Sequence, residues 1–173
     1  MAQAAISLTG IERTFSSDEI IVTKTDQSGK ITYANDIFMN ISGYSEDELL
    51  GQPHNVIRHP HMPRSVFKLL WQAIQSGKEI FAYVLNRSKN GDHYWVLAHV
   101  TPNFENGQII GYHSNRRVVK PKALIAIQPL YRKLYELESR GDRKQSLDDS
   151  FQLLHTTVAE SGLGSYDRFI RSL

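Results

Sequence analysis

The sequence has 173 residues, 40% hydrophobic and 22% charged, with 20 Lys and Arg against 18 Asp and Glu and no cysteine. Such a length allows one domain with a real core plus a helical appendage, and the near-balance of charge gives no electrostatic footprint for nucleic acid. The missing cysteines exclude disulfides, thiolate zinc sites and cysteinyl-flavin photochemistry.

IIVTK (Ile20 to Lys24) is short and β-branched, which predicts a strand. DQSG is a turn, and KITYA resumes the strand pattern to complete a hairpin. From Asn35 the spacing becomes helical through Ile37, Phe38, Ile41 and Tyr44, with Gly43 as the stop. Ser45 and Glu48 form a capping box for a second short helix that ends at Gly51. A loop follows, HNVIRHPHMPR, with three histidines, two arginines and two prolines in a run from His54 to Arg64.

Pro63 suits the first position of a longer helix. Phe67, Leu70, Trp71 and Ile74 give that helix one apolar face, and Gly77 ends it. Three strands come next, near 80–87, 93–102 and 109–117, joined by KNGD and ENGQ, both with the Asn-Gly hairpin signal. Beyond Lys120 one apolar stripe runs through Leu124, Ile127, Tyr131 and Leu134, with Pro129 expected to kink or split its helix. Leu147, Phe151, Leu154 and Val158 give a second stripe, and Tyr166, Phe169, Ile170 and Leu173 a third. The order predicts an α+β domain with one antiparallel sheet and helices on one face. No apolar run approaches the roughly 20 residues that span a bilayer, and the start MAQAAISLTG has no basic n-region. The expectation is a cytoplasmic protein, recruited to any membrane it serves.

The run YANDIFMNISGYSEDELLGQPHNVIRHPHMPRSVFKLLW, with NRSKNGDHYWVLAHVTP and GYHSNRR after it, resembles the PAS domains of flavin-binding aerotaxis and energy-taxis sensors. The likeness covers about Asp18 to Arg117, and the whole is most similar to the separate PAS partner of split aerotaxis receptors. It implies a PAS fold, a five-stranded antiparallel sheet with short helices on one face. The expected organisation is an N-terminal cap (1–17), a PAS sensor (18–119) and C-terminal helices for dimer or partner contact (120–173). It further implies a non-covalent FAD that reports redox or oxygen state, with output passing to a membrane chemoreceptor or other signalling protein. Haem is the alternative cofactor, and a cofactor-free interaction module the alternative role. Two positions depart from the family pattern: His61 stands where an acidic residue is usual, and the nearest aromatic to Ile80 is Phe81.

Six residues are candidates for the cofactor. Arg58 and His59 suit a diphosphate or ribose, since arginine offers a charged fork; the bland alternative is a proline-shaped surface loop with solvated histidines. The helix after the loop would add its N-terminal N–H groups. Asn86 can donate to and accept from a flavin's uracil-like edge, or merely cap a turn. Trp71 is a core residue or a ring contact. Asn35 caps its helix or touches cofactor. His113 is a structural strand histidine, or the axial ligand if the group is haem. A metal in the histidine loop lacks nearby carboxylates to complete it. No nucleophile–base pair, paired carboxylates or Gly-rich phosphate loop stands out, so an enzyme is not expected.

Overall fold

β-Branched residues make up most of IVTKTD, and strand β1 (Ile21–Asp26) buries Ile21 and Thr23 on one face. The computed structural model describes residues 7–173, so the first six residues of the expected N-terminal cap lie outside it. In the turn after β1, Asp26 Oδ1 accepts from Ser28 N (2.8 Å) and Lys30 N (3.0 Å), and β2 (Ile31–Ala34) returns antiparallel. Asn35 caps α1 (Asp36–Ser42), which Gly43 closes at φ 75. Ser45 and Glu48 form the expected capping box of α2 (Glu46–Leu49). Inside the histidine loop, His54–Ile57 make one 3-10 turn.

Helix α3 (Arg64–Gln75) starts one residue later than the sequence suggests. Pro63 is its N-cap and has no side chain to satisfy the first N–H groups. β3 (Ile80–Arg87), β4 (His93–Glu105) and β5 (Gln108–Val118) form the meander, with β4 running past its expected end at Pro102. The five-stranded sheet has the order β2-β1-β5-β4-β3, antiparallel throughout. A Cβ at Gly111 would meet Thr25 O at 2.2 Å, so the close approach of β5 to β1 requires glycine there.

The tail is helical: α4 (Pro121–Glu138), α5 (Arg143–Glu160) and α6 (Tyr166–Ser172). Pro129 does not split α4. The carbonyl it leaves without an N–H partner is that of Ile125, a residue 76% exposed and so open to solvent. The inner positions of the tail stripes, among them Ile127, Tyr131, Leu134, Leu154 and Ile170, are buried within the chain. Part of the stripes is therefore taken up internally, while Leu124, Leu147, Phe151 and Phe169 remain half-buried.

Strand β3 lies at the sheet's edge and turns alternate N–H and C=O groups away from β4, a standing template for another strand. The tail closes that edge. Tyr131 Oη donates to Tyr83 O (2.7 Å), and Asp167 Oδ1 accepts from Phe81 N (3.0 Å). Met62, from the histidine loop, takes Leu85 N on its sulfur (3.3 Å).

Candidate functional site

Strand alternation aims one side of the sheet at α3, and between them lies a cavity of about 470 Å³. That is within the range of small-molecule sites. Its walls are largely apolar: Val84, Ala98 and Val100 from the sheet face Leu70 and Ile74 of α3. Trp71 closes one side, set edge-on to Tyr112 with ring centroids 5.6 Å apart. A Cβ at Gly29 would come within 2.9 Å of the Trp71 ring, so the indole lies directly against the β1–β2 turn.

Three buried polar atoms of the lining stand apart from its other polar groups. Asn86 Nδ2, Ser114 Oγ and Arg116 Nη1 belong to cavity residues, are fully buried, and have no hydrogen-bond partner among the described residues. An unsatisfied buried group costs about 1–3 kcal/mol, and three on one cavity point to a ligand that satisfies them. Arg116 is the sharpest case. It is 4% exposed, its Nη2 donates to Thr23 Oγ1 (2.7 Å) and to His54 Nε2, and its guanidinium lies 5.3 Å from the Phe38 ring centre. Burial pushes its pKa down to about 10, so it remains a cation at neutral pH. Among the described residues no carboxylate pairs with it.

His54 is the neutral member of the pair. Burial, then the charge of Arg116, holds its pKa well below the ordinary histidine value. Accepting from Arg116 at Nε2 places its own proton on Nδ1.

The mouth carries cations: Arg58, Arg64 and Lys68 all line it. Arg58 donates to Met62 O (2.9 Å), lies 4.9 Å from the Phe67 ring centre, and is tied to β3 by a backbone bridge to Asn86. The first amides of α3, by contrast, are not free for a phosphate. Glu138, at the end of α4, accepts from Arg64 N (2.6 Å) and Ser65 N (2.8 Å), supplying the cap that Pro63 cannot.

Of the six candidates from sequence, Arg58, Trp71 and Asn86 meet at the cavity. Asn35 does not line it. Its Oδ1 accepts from Phe38 N and Val22 N and its Nδ2 donates to Ile20 O, joining α1 to β1. His59 lies in a separate recess with His61, His93 and Tyr135, its Nδ1 accepting from His61 N (3.1 Å). Burial lowers its pKa to about 4. His113 sits between the cavity residues Tyr112 and Ser114, so strand alternation turns it to the opposite face, where its Nε2 meets Asn115 Oδ1 (3.2 Å). It is not placed to ligate a haem in the cavity. Phe81 likewise faces outward, stacked on His99 at 4.1 Å. Sequence reasoning missed His54, Ser114 and Arg116. The signal was available in GYHSNRR, whose even-numbered positions share the inner face. Among the described residues, no group of three or more His, Asp or Glu is placed to hold a metal ion, and no helix is long and apolar enough to cross a membrane.

A family model described as the PAS fold matches residues 31–116. The aerotaxis receptor of Escherichia coli (strain K12) is 44% identical over 117 residues, which are 68% of this chain and 23% of that receptor. The blue-light-activated histidine kinase of Brucella anthropi is 25% identical over 138 residues, 79% of this chain and 27% of the kinase. The chain thus spans about a quarter of the length of these relatives. Among solved structures, the dark state of the blue-light photoreceptor Aureochrome1 LOV superposes with a TM-score of 0.56 at 28% identity, over 64% of this chain and 85% of that one. A PAS domain from Colwellia psychrerythraea agrees in fold, with a TM-score of 0.54 at 23% identity over 58% of this chain and 86% of its own. On its strand order, its family match and its 44% identity to the aerotaxis receptor, the chain belongs to the PAS-fold family of sensor domains.

Proposed function

We propose that the chain is a flavin-binding redox sensor: it holds FAD in the cavity and passes the redox state to a separate chemoreceptor or other signalling protein, controlling aerotaxis. The observation that carries this reading is that Asn86, Ser114 and Arg116, a cation with no carboxylate partner among the described residues, line one cavity. A flavin offers carbonyl and imine acceptors for such donors, and Trp71 and the aliphatic walls suit the faces of its ring. Arg58 at the mouth suits a diphosphate. Two relatives are named for blue light, a role that needs a chromophore.

When bound, a flavin supplies reversible electron transfer, and its reduced ring becomes more negative. Arg116 favours that form, because a buried cation without a counter-ion gains most from added negative charge. His54 fixes the guanidinium in place. A change of charge at Arg116 is felt along β5, which runs directly into α4, giving a route from ring to tail. The chain acts as a signalling module in this reading, cytoplasmic, working as a homodimer or with its receptor. Partner contact uses the exposed side of the tail, since the inner side is taken up by the PAS core.

The test is the visible spectrum of purified protein, followed by release and identification of the pigment. FAD with two flavin absorption bands is expected, bleaching reversibly on reduction. Colourless protein that takes up no flavin, or a haem spectrum, overturns the reading.

A further inference from the structure

We propose that the cavity mouth and the tail compete for the same two cations, Arg64 and Lys68, so that a ligand bearing phosphate groups loosens α4 and α5 from α3. The inference rests on a flavin occupying the cavity and adds what the phosphate end of that ligand does.

Helix α3 serves two sites at once. Arg64 and Lys68 line the cavity mouth, and both are already paired with carboxylates of the tail. Arg64 Nε lies 3.3 Å from Glu138 Oε2, and Lys68 Nζ lies 2.8 Å from Asp148 Oδ1. The Glu138 contact is built in depth. Its carboxylate is 3% exposed and accepts from Arg64 N, Ser65 N and Ser150 Oγ. Arg64 also donates to Glu138 O, Ser146 Oγ and Arg143 O. Glu138 is the attractive charge acting on Arg58, whereas Arg64 and Arg143 repel that guanidinium. One carboxylate is therefore the counter-charge shared by the arginines, Arg58 and Arg64, that a diphosphate entering the mouth would seek.

A phosphate brings more charge than a carboxylate and three acceptor oxygens. Drawn toward it, Arg64 and Lys68 leave Glu138 and Asp148. Glu138 is then a buried carboxylate short of its cation, which is costly. The least costly escape is for the end of α4 and the start of α5 to move out toward water. In the phosphate-free state the same carboxylate holds the tail down on α3. By linkage the effect is reciprocal: whatever pulls the tail away favours the phosphate-bearing ligand.

The experiment compares riboflavin, FMN and FAD bound to the full chain, reading amide hydrogen exchange over residues 134–151. FMN and FAD are expected to raise exchange there on the order of tenfold above riboflavin, within the usual range of allosteric coupling. If riboflavin fails to bind, ligand-free protein is the reference. Glu138→Gln keeps the length of the side chain, removes the charge and retains one of its two acceptor atoms. It is expected to bind FAD about fivefold more tightly and riboflavin unchanged. A merely structural Glu138 would weaken every flavin alike. Equal tail protection with and without phosphate, or weaker FAD binding by Glu138→Gln, overturns the competition and leaves flavin binding standing. Failure of all three flavins to bind overturns both.

Discussion

Arg116 separates ligand binding from stability more cleanly than any other side chain in the cavity. A buried guanidinium without a carboxylate burdens the empty fold, because removing such a charge in favour of an apolar group of similar length is often neutral or stabilising. Arg116→Met is therefore expected to keep or raise the urea midpoint while lowering flavin affinity by about tenfold or more, the worth of one charged hydrogen bond. Unfolding curves and equilibrium dialysis read the two separately, and lost stability with flavin retained would show a structural arginine instead. The buried histidines set a pH limit. His54 and His59 both have folded pKa values depressed by burial, His59 to about 4 from an ordinary 6.5, so the unfolded chain takes up their protons first. Their contribution is complete above about pH 6.5 and is lost as pH falls; His59 accounts for at most about 1.4 kcal/mol per pH unit between there and about 4. The urea midpoint should drop from pH 7 to pH 5, and less so in His59→Asn. An equal drop in both would remove His59 from the account. Asn86 was legible as a cavity residue because the family resemblance put it on the pocket face of its strand. Arg116 was not, because the phase of a strand is a tertiary property: in GYHSNRR both the odd and the even positions carry polar and aromatic groups. Choosing the odd set selects His113 and Asn115, which face the wrong way.

At the scale of elements, local chemistry wrote most of the boundaries. Asn35 and Gly43 bracket α1, and the Ser45–Glu48 box starts α2. Asn106 and Gly107 both take positive φ in the turn between β4 and β5 (φ 49 and 78), as a two-residue hairpin turn requires. Pro129 leaves α4 unsplit, and whether a proline splits a helix depends on whether the abandoned carbonyl reaches water, which sequence does not state. The closing of the β3 edge was equally invisible, since Tyr131 and Asp167 reach it from distant helices. Tyr131→Phe removes the donor to Tyr83 O and is expected to cost about 1 kcal/mol, with faster exchange of the neighbouring β3 amides. Unchanged unfolding and unchanged exchange would mean that the bond adds nothing to the edge.

For the whole molecule, the tail completes the PAS sheet from outside it. Ending the chain at Lys120 bares the β3 edge and the outer side of α3, and the shortened protein is expected to self-associate with rising concentration. Sedimentation velocity over a concentration series checks this; a monodisperse monomer throughout would mean that the edge needs no cover. The same arrangement fixes an order of events during folding. Phe81 and Asp167 are 86 positions apart and Tyr83 and Tyr131 are 48 apart, whereas the β3–β4 and β4–β5 hairpins close over short turns. Closure of long loops is slower and entropically dearer, so the β3–β5 meander forms first and waits with its β3 edge open. During that interval the tail of a second molecule can serve as well as its own. Refolding should then yield exchanged dimers in proportion to protein concentration, and these persist because release requires the helices to unpack.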